Sequence, residues 1–465
     1  EGAMEEDAWG NAVTAANAEA ARALDETALA YMGFRLDTGA HLKAALTADP
    51  EMPLALIYRG YFFLLFCHPA LARKAAETRD RLLPMAEVGA LNAREKLHFR
   101  ALDLWVDGDM QGANDAWEAV MLDWPFDPMA IRLAHYTSFY MRGGAAMRRQ
   151  SARVIRDWAG RDLPGAGFIH GVHAFACEES GDYANAERHG RIAVEMNPAD
   201  IWATHAVAHA MEMQGRHREG IGWVRANEAD WNRTNNFRFH VWWHRCLYHL
   251  ELGEHDEVLA LYDRAVRAES TDEYLDITNG VAMLWRLEQE GVNVGDRWDE
   301  LADRSAERVH DHILCFADMH YVMALAAAGR EPEAKDMIAS MRDASDGDFS
   351  SQGEVYRRIG LPLAEAVVAA RAGRHQQVLD TLLPVREEIA LVGGSHAQRD
   401  VFERTLLESA LAAGKGALAR ALAAERVDAK ATSAYGWRRY ADALDLCGDA
   451  EGAWAARAEM ARLAA

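Results

Sequence analysis

Ten glycines divide this chain at nearly even intervals. Gly108, Gly144, Gly181, Gly215, Gly253, Gly291, Gly329, Gly373, Gly414 and Gly448 each stand between an apolar stretch of helical period and an alanine-rich one. Successive spacings run from 34 to 44 residues, the length in which two helices and their turns repeat. Glycine suits these points because the chain enters the left-handed region to end one helix and start the next. A chain punctuated in this way stacks neighbouring helix pairs. Its 465 residues therefore need not close around one compact core, which stops growing at roughly 250–300 residues. Composition agrees: 50% of the residues are hydrophobic, 26% are charged and only 11 are proline, as suits a mainly helical protein with little disorder.

The best-formed unit surrounds Gly181 and reads GVHAFACEESGDYANAERHGRIAVEMNPAD. Counting the turn glycine as position fifteen puts Ala174 at eight, Tyr183 at seventeen, Ala186 at twenty, Ala193 at twenty-seven and Pro198 at thirty-two. Small residues let two antiparallel helices approach closely, and the proline stops the second. The pattern resembles the tetratricopeptide repeat. Ala208 and Gly220 keep the small positions around Gly215, and Ala334 does so around Gly329. Three further strings, HAVAHAMEMQGR, the WWH segment at Trp242 to His244, and GGSHAQRDVF from Gly393 to Phe402, resemble the tetratricopeptide repeat protein 38 family. That resemblance implies an all-α fold, a tetratricopeptide-like right-handed superhelical solenoid, and brings no settled reaction with it.

One continuous solenoid is expected over 5–465. Irregular N-terminal helices fill 5–108, the best-formed repeats 109–340, and C-terminal repeats with the GGSHAQRDVF segment 341–465. Residues 1–4 read as a tag remnant. The most apolar run, YFFLLFC from Tyr61 to Cys67, is far short of the ~20 residues of a membrane helix and reads as a buried one. Arg342 to Glu354 is polar and turn-rich and interrupts the spacing before Gly373, so a mobile loop over the groove is expected there. Asp296 to His312 reads as a solvated helix face.

The formal net charge of −22 repels phosphate backbones, which argues against nucleic acid or an anionic membrane as partner. Cys67, Cys177, Cys246, Cys315 and Cys447 are scattered, with no CxxC pair. Neither a disulfide framework nor a zinc knuckle is indicated, and a reducing compartment fits. With no basic-then-apolar leader at the N-terminus, a cytoplasmic location is expected.

The histidines carry the chemistry. On a helix each residue turns about 100°, so positions four, seven, eight and eleven face the partner helix while two, five, six, nine and thirteen lie opposite. His205 and His209 fall at five and nine, His240 and His244 at two and six, and His320 at six. His135 joins them at six if Gly144 is the turn residue; Gly143 in that role moves it off. Trp202 is at two, Trp243 at five and Glu212 at twelve. In tetratricopeptide superhelices, as the resemblance implies, this face of the leading helix lines the concave groove. A packing role for each single histidine is the ordinary alternative, but several on one face of successive repeats point to a shared pocket.

Three uses are open. His205, His209, His240 and His244 form two HxxxH pairs at metal-ligand spacing, suited to a divalent ion, although no glutamate lies inside either motif. His205, His209 and His244 with Glu212 as neighbour, or Glu178, suit general acid–base catalysis in a hydrolase or lyase. Recognition of a small molecule or short peptide by His240, Trp202, Trp243, His320, His135, His396 and Arg399 is the third and the one preferred here; a protein-scaffold role would leave the face shallow and open. In GGSHAQRDVF, Ser395 and Gln398 have capping-box spacing. His396 and Arg399 then crowd a helix start, a suitable anion site, while Asp400 is expected to tie the helix to a neighbour. Cys177 and Cys246 fall at packing positions and read as core thiols.

Overall fold

The Gly–Asp pairs of the sequence explain the local architecture. In a computed structural model describing residues 3–464, Gly108 and Gly181 both have φ of 83°, the conformation that ends a helix. The aspartate after each caps the next: Asp109 Oδ1 accepts from Gly112 N at 2.8 Å and Asp182 Oδ1 from Asn185 N at 3.1 Å. One dipeptide thus stops one helix and starts another. Nine of the ten expected turn glycines have positive φ. The exception is Gly144, which opens the helix Gly144–Ala152. The left-handed residue is Gly143, with φ 79°. Gly144 is small for another reason, since a Cβ there would meet the Glu179 carbonyl oxygen at 2.2 Å. This correction shifts His135 by one position, to seven, a packing position.

The fold is all-α and built of tetratricopeptide-like helix pairs. Among the described residues the strands are a single antiparallel ribbon, Met4–Glu6 against Ala12–Thr14, in which Met4 pairs with Thr14. Of the stretch 1–4, Glu1 and Gly2 lie outside the described residues. Contacts group the chain into two units. The first holds residues up to Val207, Asn227–Arg238 and Phe349–Gln352; the second holds Ala208–Ala226, Phe239–Asp348 and the chain from Gly353 onward.

In the first unit, the helices Ala166–Glu179 and Tyr183–Met196 form the best repeat. Ala174, Ala186 and Ala193 are fully buried, as close helix approach requires. The helix Pro53–Leu65 corrects the reading of YFFLLFC: Tyr61 is buried, but the helix ends at Leu65 and Phe66 is 52% exposed. Tyr61 is in the core and Phe62 to Leu65 are half-buried. In the second unit Gly220 has no room for a side chain, because a Cβ would lie 2.4 Å from Tyr248 Cζ. Tyr248 in turn donates to the Ala208 carbonyl at 2.5 Å. The polar stretch Arg342 to Glu354 is mostly helix, divided between Glu331–Ser345 and Ser351–Val355. Ser351 N donates to Gly108 O at 3.1 Å within the first unit. In the stretch Asp296 to His312, helix Trp298–Ala306 buries Trp298, Leu301, Ala302 and Ser305 and turns its charged residues outward. Among the described residues no helix is long and apolar enough to cross a membrane.

Candidate functional site

Two long helices carry the histidine pairs. Asp200 Oδ1 accepts from Ala203 N at 3.0 Å and so starts Ile201–Met213; Asn235 Oδ1 accepts from Phe237 N at 3.0 Å at the head of Phe237–Glu251. Within the second unit His209, His240 and His244 converge. Their ring nitrogens lie within 4.8 Å of one another, the rings of His209 and His244 are 4.1 Å apart, and His244 Nε2 is 3.1 Å from His240 Nε2. All three are buried, His244 completely. His240 Nδ1 donates to Asn279 Oδ1 at 2.7 Å, so its lone pair is on Nε2. Trp243 lies flat on His240 at 5.2 Å and edge-on to His244 at 5.0 Å. Burial, helped by His240 and His396, pushes His209 well below the usual imidazole range, and burial takes His240 down to about 4 against the opposing Asn279 bond. Both are neutral at physiological pH, the form that binds metals and accepts protons.

The same unit contains a cavity of about 370 Å³, lined by the carboxylates of Glu212, Glu251, Asp400, Glu403 and Glu425, by the cations of Arg286, Arg386, Arg404, Arg426 and Lys430, and by His396, Leu247, Leu250 and Leu407. Most of its cations have carboxylate partners: Lys430 with Glu212 at 2.5 Å, Arg426 with Asp400 at 2.6 Å, Arg404 with Glu290 at 2.8 Å and Arg386 with Glu425 at 2.6 Å. Arg286 differs. Only 1% exposed, it donates to the carbonyls of Ala282 at 3.0 Å and Ala397 at 2.7 Å, and its guanidinium is 5.3 Å from the Trp243 ring. Among the described residues no carboxylate forms an ion pair with it. Burial and the neighbouring Arg404 lower its pKa to about 9, so it stays charged at neutral pH. The Trp243 indole N–H is likewise buried without a hydrogen-bond partner among the described residues.

At the GGSHAQRDVF segment the capping box forms as expected: Ser395 Oγ accepts from Gln398 N at 3.1 Å and Gln398 Oε1 from Ser395 N at 2.9 Å. His396 lines the cavity. Arg399 donates to the Gly394 carbonyl and to His396 Nδ1, the latter at 3.4 Å. Asp400 is tied to Arg426 through both its oxygens, the role expected of it. His320 stands apart from the imidazole trio: its Nδ1 donates to Phe316 O at 2.8 Å, and it packs on Phe316 and Phe402. Burial takes its pKa down to about 4. Cys177 and Cys246 are both fully buried, and burial pushes the Cys177 thiol up to about 11, as suits a core residue.

The first unit holds a different assembly. Trp202 is surrounded by Phe34 at 5.8 Å, Phe175 at 4.7 Å, Phe237 at 5.4 Å, His135 at 5.6 Å and His205 at 4.9 Å. The Arg132 guanidinium lies 4.2 Å over its ring. Both ring nitrogens of His135, the Trp202 indole N–H and Arg132 Nη1 are buried without hydrogen-bond partners among the described residues. Burial, with Arg132 adding to it, pushes His135 well below the usual imidazole range. Glu178 is buried on the helix Ala166–Glu179. His205 is buried in this unit, packed 5.1 Å from Phe175 and 5.1 Å from Phe237.

Sequence spacing identified every histidine of the trio. It missed Asn279, Arg286, Lys430 and Arg132, which lie on other helices with no motif of their own; a buried arginine at a helical core position was the available signal.

No family model matches the chain. Solved structures with similarity include a human IFIT1 dimer with PPP-AAAA, at 13% identity over 95% of each chain with a TM-score of 0.40. Another is a human IFIT1 dimer with m7Gppp-AAAA, at 14% identity over 85% of this chain and 87% of that one, TM-score 0.35. A structure of Naa15/Naa10 bound to HypK-THB matches at 11% identity over 95% of this chain and 68% of that one, TM-score 0.25. At such identities and scores nothing about a ligand or partner passes to this chain.

Proposed function

We propose that this protein binds a small organic anion in the cavity of the second unit, as a tetratricopeptide-like binding protein akin to the tetratricopeptide repeat protein 38 family. The observation that carries the reading is Arg286. A buried guanidinium without a carboxylate partner is costly, and here it lines a cavity of about 370 Å³, the size range of small-molecule sites. Trp243, whose ring lies 5.3 Å from the Arg286 guanidinium, helps to hold that cation in place, and the leucines of the wall suit a ligand with an apolar part. A carboxylate would meet Arg286 in the bidentate geometry that guanidinium favours. The expectation against nucleic acid rests on net charge alone, so nucleotides belong among the anions screened.

A second reading, histidine-dependent hydrolase or lyase chemistry, is favoured by one observation: the neutral, buried imidazoles of His209 and His240 stand in the same unit as the cavity. In this reading Glu212 serves to hold Lys430 rather than to act as the acid or base.

The test is thermal unfolding against a panel of organic acids and nucleotides. A ligand at about 100 times its Kd adds roughly 2.7 kcal/mol of stability. We expect a concentration-dependent rise in Tm for carboxylates in the wild type that disappears in Arg286→Met and persists weakly in Arg286→Lys. No response to any anion, or an equal response in Arg286→Met, would discard the proposal.

A further inference from the structure

The geometry points to a transition-metal site in the second unit, in which His209, His240 and His244 bind one divalent ion of the imidazole-preferring class, such as zinc or cobalt.

Three features carry this beyond a cluster of packed rings. First, His240 has the arrangement found in metal-ligating histidines: Nδ1 donates to a fixed acceptor, Asn279 Oδ1 at 2.7 Å, which leaves the Nε2 lone pair directed elsewhere. Second, that Nε2 faces His244 Nε2 at 3.1 Å. Two nitrogens so separated, each ~2.0–2.1 Å from a common zinc, would subtend about 100° at it, between octahedral and tetrahedral angles. Third, the remaining imidazole, His209, comes from a different helix, its ring 4.1 Å from that of His244 and inclined by 57°. A donor from a second helix closes the set in three dimensions, which an i,i+4 pair alone does not do.

The alternative is a chain of imidazole hydrogen bonds, with His244 Nε2–H donating to His240 Nε2. Both arrangements bring these two nitrogens to 3.1 Å, and metal uptake separates them. Neutral nitrogen donors select zinc, copper, nickel or iron over magnesium and calcium, which prefer oxygen.

The site is independent of the anion proposal, and the experiment keeps the two apart. Full-length protein, purified without a nickel column and stripped with chelator, is titrated with Co(II) while its visible ligand-field bands are followed, then with Zn(II). We expect one Co(II) per chain, displaced by Zn(II). His209→Gln, His240→Gln and His244→Gln should each weaken uptake by more than about 100-fold, beyond the 10–100-fold of an outer-shell change. His320→Gln, a buried imidazole outside the trio, should bind as wild type, and Arg286→Met should keep cobalt uptake while losing anion binding. Circular dichroism checks that each variant is folded. If the trio variants unfold, X-ray absorption on the zinc-loaded wild type takes their place, with an imidazole nitrogen shell expected. No cobalt uptake by the wild type, undiminished uptake in folded His240→Gln/His244→Gln, or an oxygen-only shell would overturn the assignment.

Discussion

The aromatic assembly around Trp202 in the first unit and the imidazole trio in the second arise from the same sequence device, histidine and tryptophan on the outward face of a leading helix, yet they are physically different. Around Trp202 the rings meet face and edge, and both ring nitrogens of His135, the Trp202 indole N–H and Arg132 Nη1 lack hydrogen-bond partners among the described residues. In the trio the rings meet through their nitrogens, and Asn279 sets the tautomer of one of them. The comparison teaches that position on a helix face decides burial, whereas the neighbouring helix decides whether an imidazole acts as a hydrocarbon or as a donor.

Four measurements would break or sharpen that contrast. Trp202→Ala should have the largest effect, because it removes an indole packed by five rings and a guanidinium; a loss of about 3–5 kcal/mol in urea unfolding is expected. A loss below about 1 kcal/mol would mean that the aromatic assembly is not a packing unit.

Asp200→Asn should come next. Burial raises the Asp200 carboxyl from 3.8 to about 7, outweighing its backbone hydrogen bonds and the attraction of Arg132. A carboxyl whose folded pKa is raised binds its proton more tightly when folded. Its protonation therefore stabilises the fold at low pH, and this contribution is lost as pH rises from about 4 through about 7. The shift corresponds to on the order of 4 kcal/mol. Asparagine keeps the Oδ1 cap on Ala203 and removes the titration, so the fall in stability between pH 5 and 8 should be shallower in the variant. Parallel pH profiles would refute this.

Asn279→Ala should lower the cobalt affinity of the trio by about 10–100-fold with about 1 kcal/mol lost in stability. Unchanged affinity would remove Asn279 as the positioning residue. Last, His135→Phe should be neutral or stabilise by up to roughly 1–2 kcal/mol, since it replaces an imidazole lacking hydrogen bonds with a ring of similar shape. A clear destabilisation would show that His135 has a polar role and narrow the difference between the two regions.

Much of the fold was legible in advance. Nine of the ten turn glycines have the positive φ their spacing implied, and Ala174, Ala186, Ala193 and Ala208 are fully buried. The failure at Gly143 and Gly144 is instructive: two adjacent glycines satisfied different demands, one torsional and one a close approach to the Glu179 carbonyl, and spacing alone does not separate them. The site was half legible. The HxxxH pairs announced the imidazoles, but nothing in the string linked His240 to Asn279, Glu212 to Lys430, or marked Arg286 as the cavity cation lacking a carboxylate.

By itself, the sequence determined the helix pairs, nine of the ten turns, the capping box at Ser395 and the helix face of His205, His209, His240, His244 and His320, because these follow from torsion angles and from contacts within a few residues. Only the tertiary structure decided which of those imidazoles meet nitrogen to nitrogen and which charges find partners, because such distances depend on how helices far apart in the chain are brought side by side, and a shift of one residue in a turn rotates a side chain by about 100°.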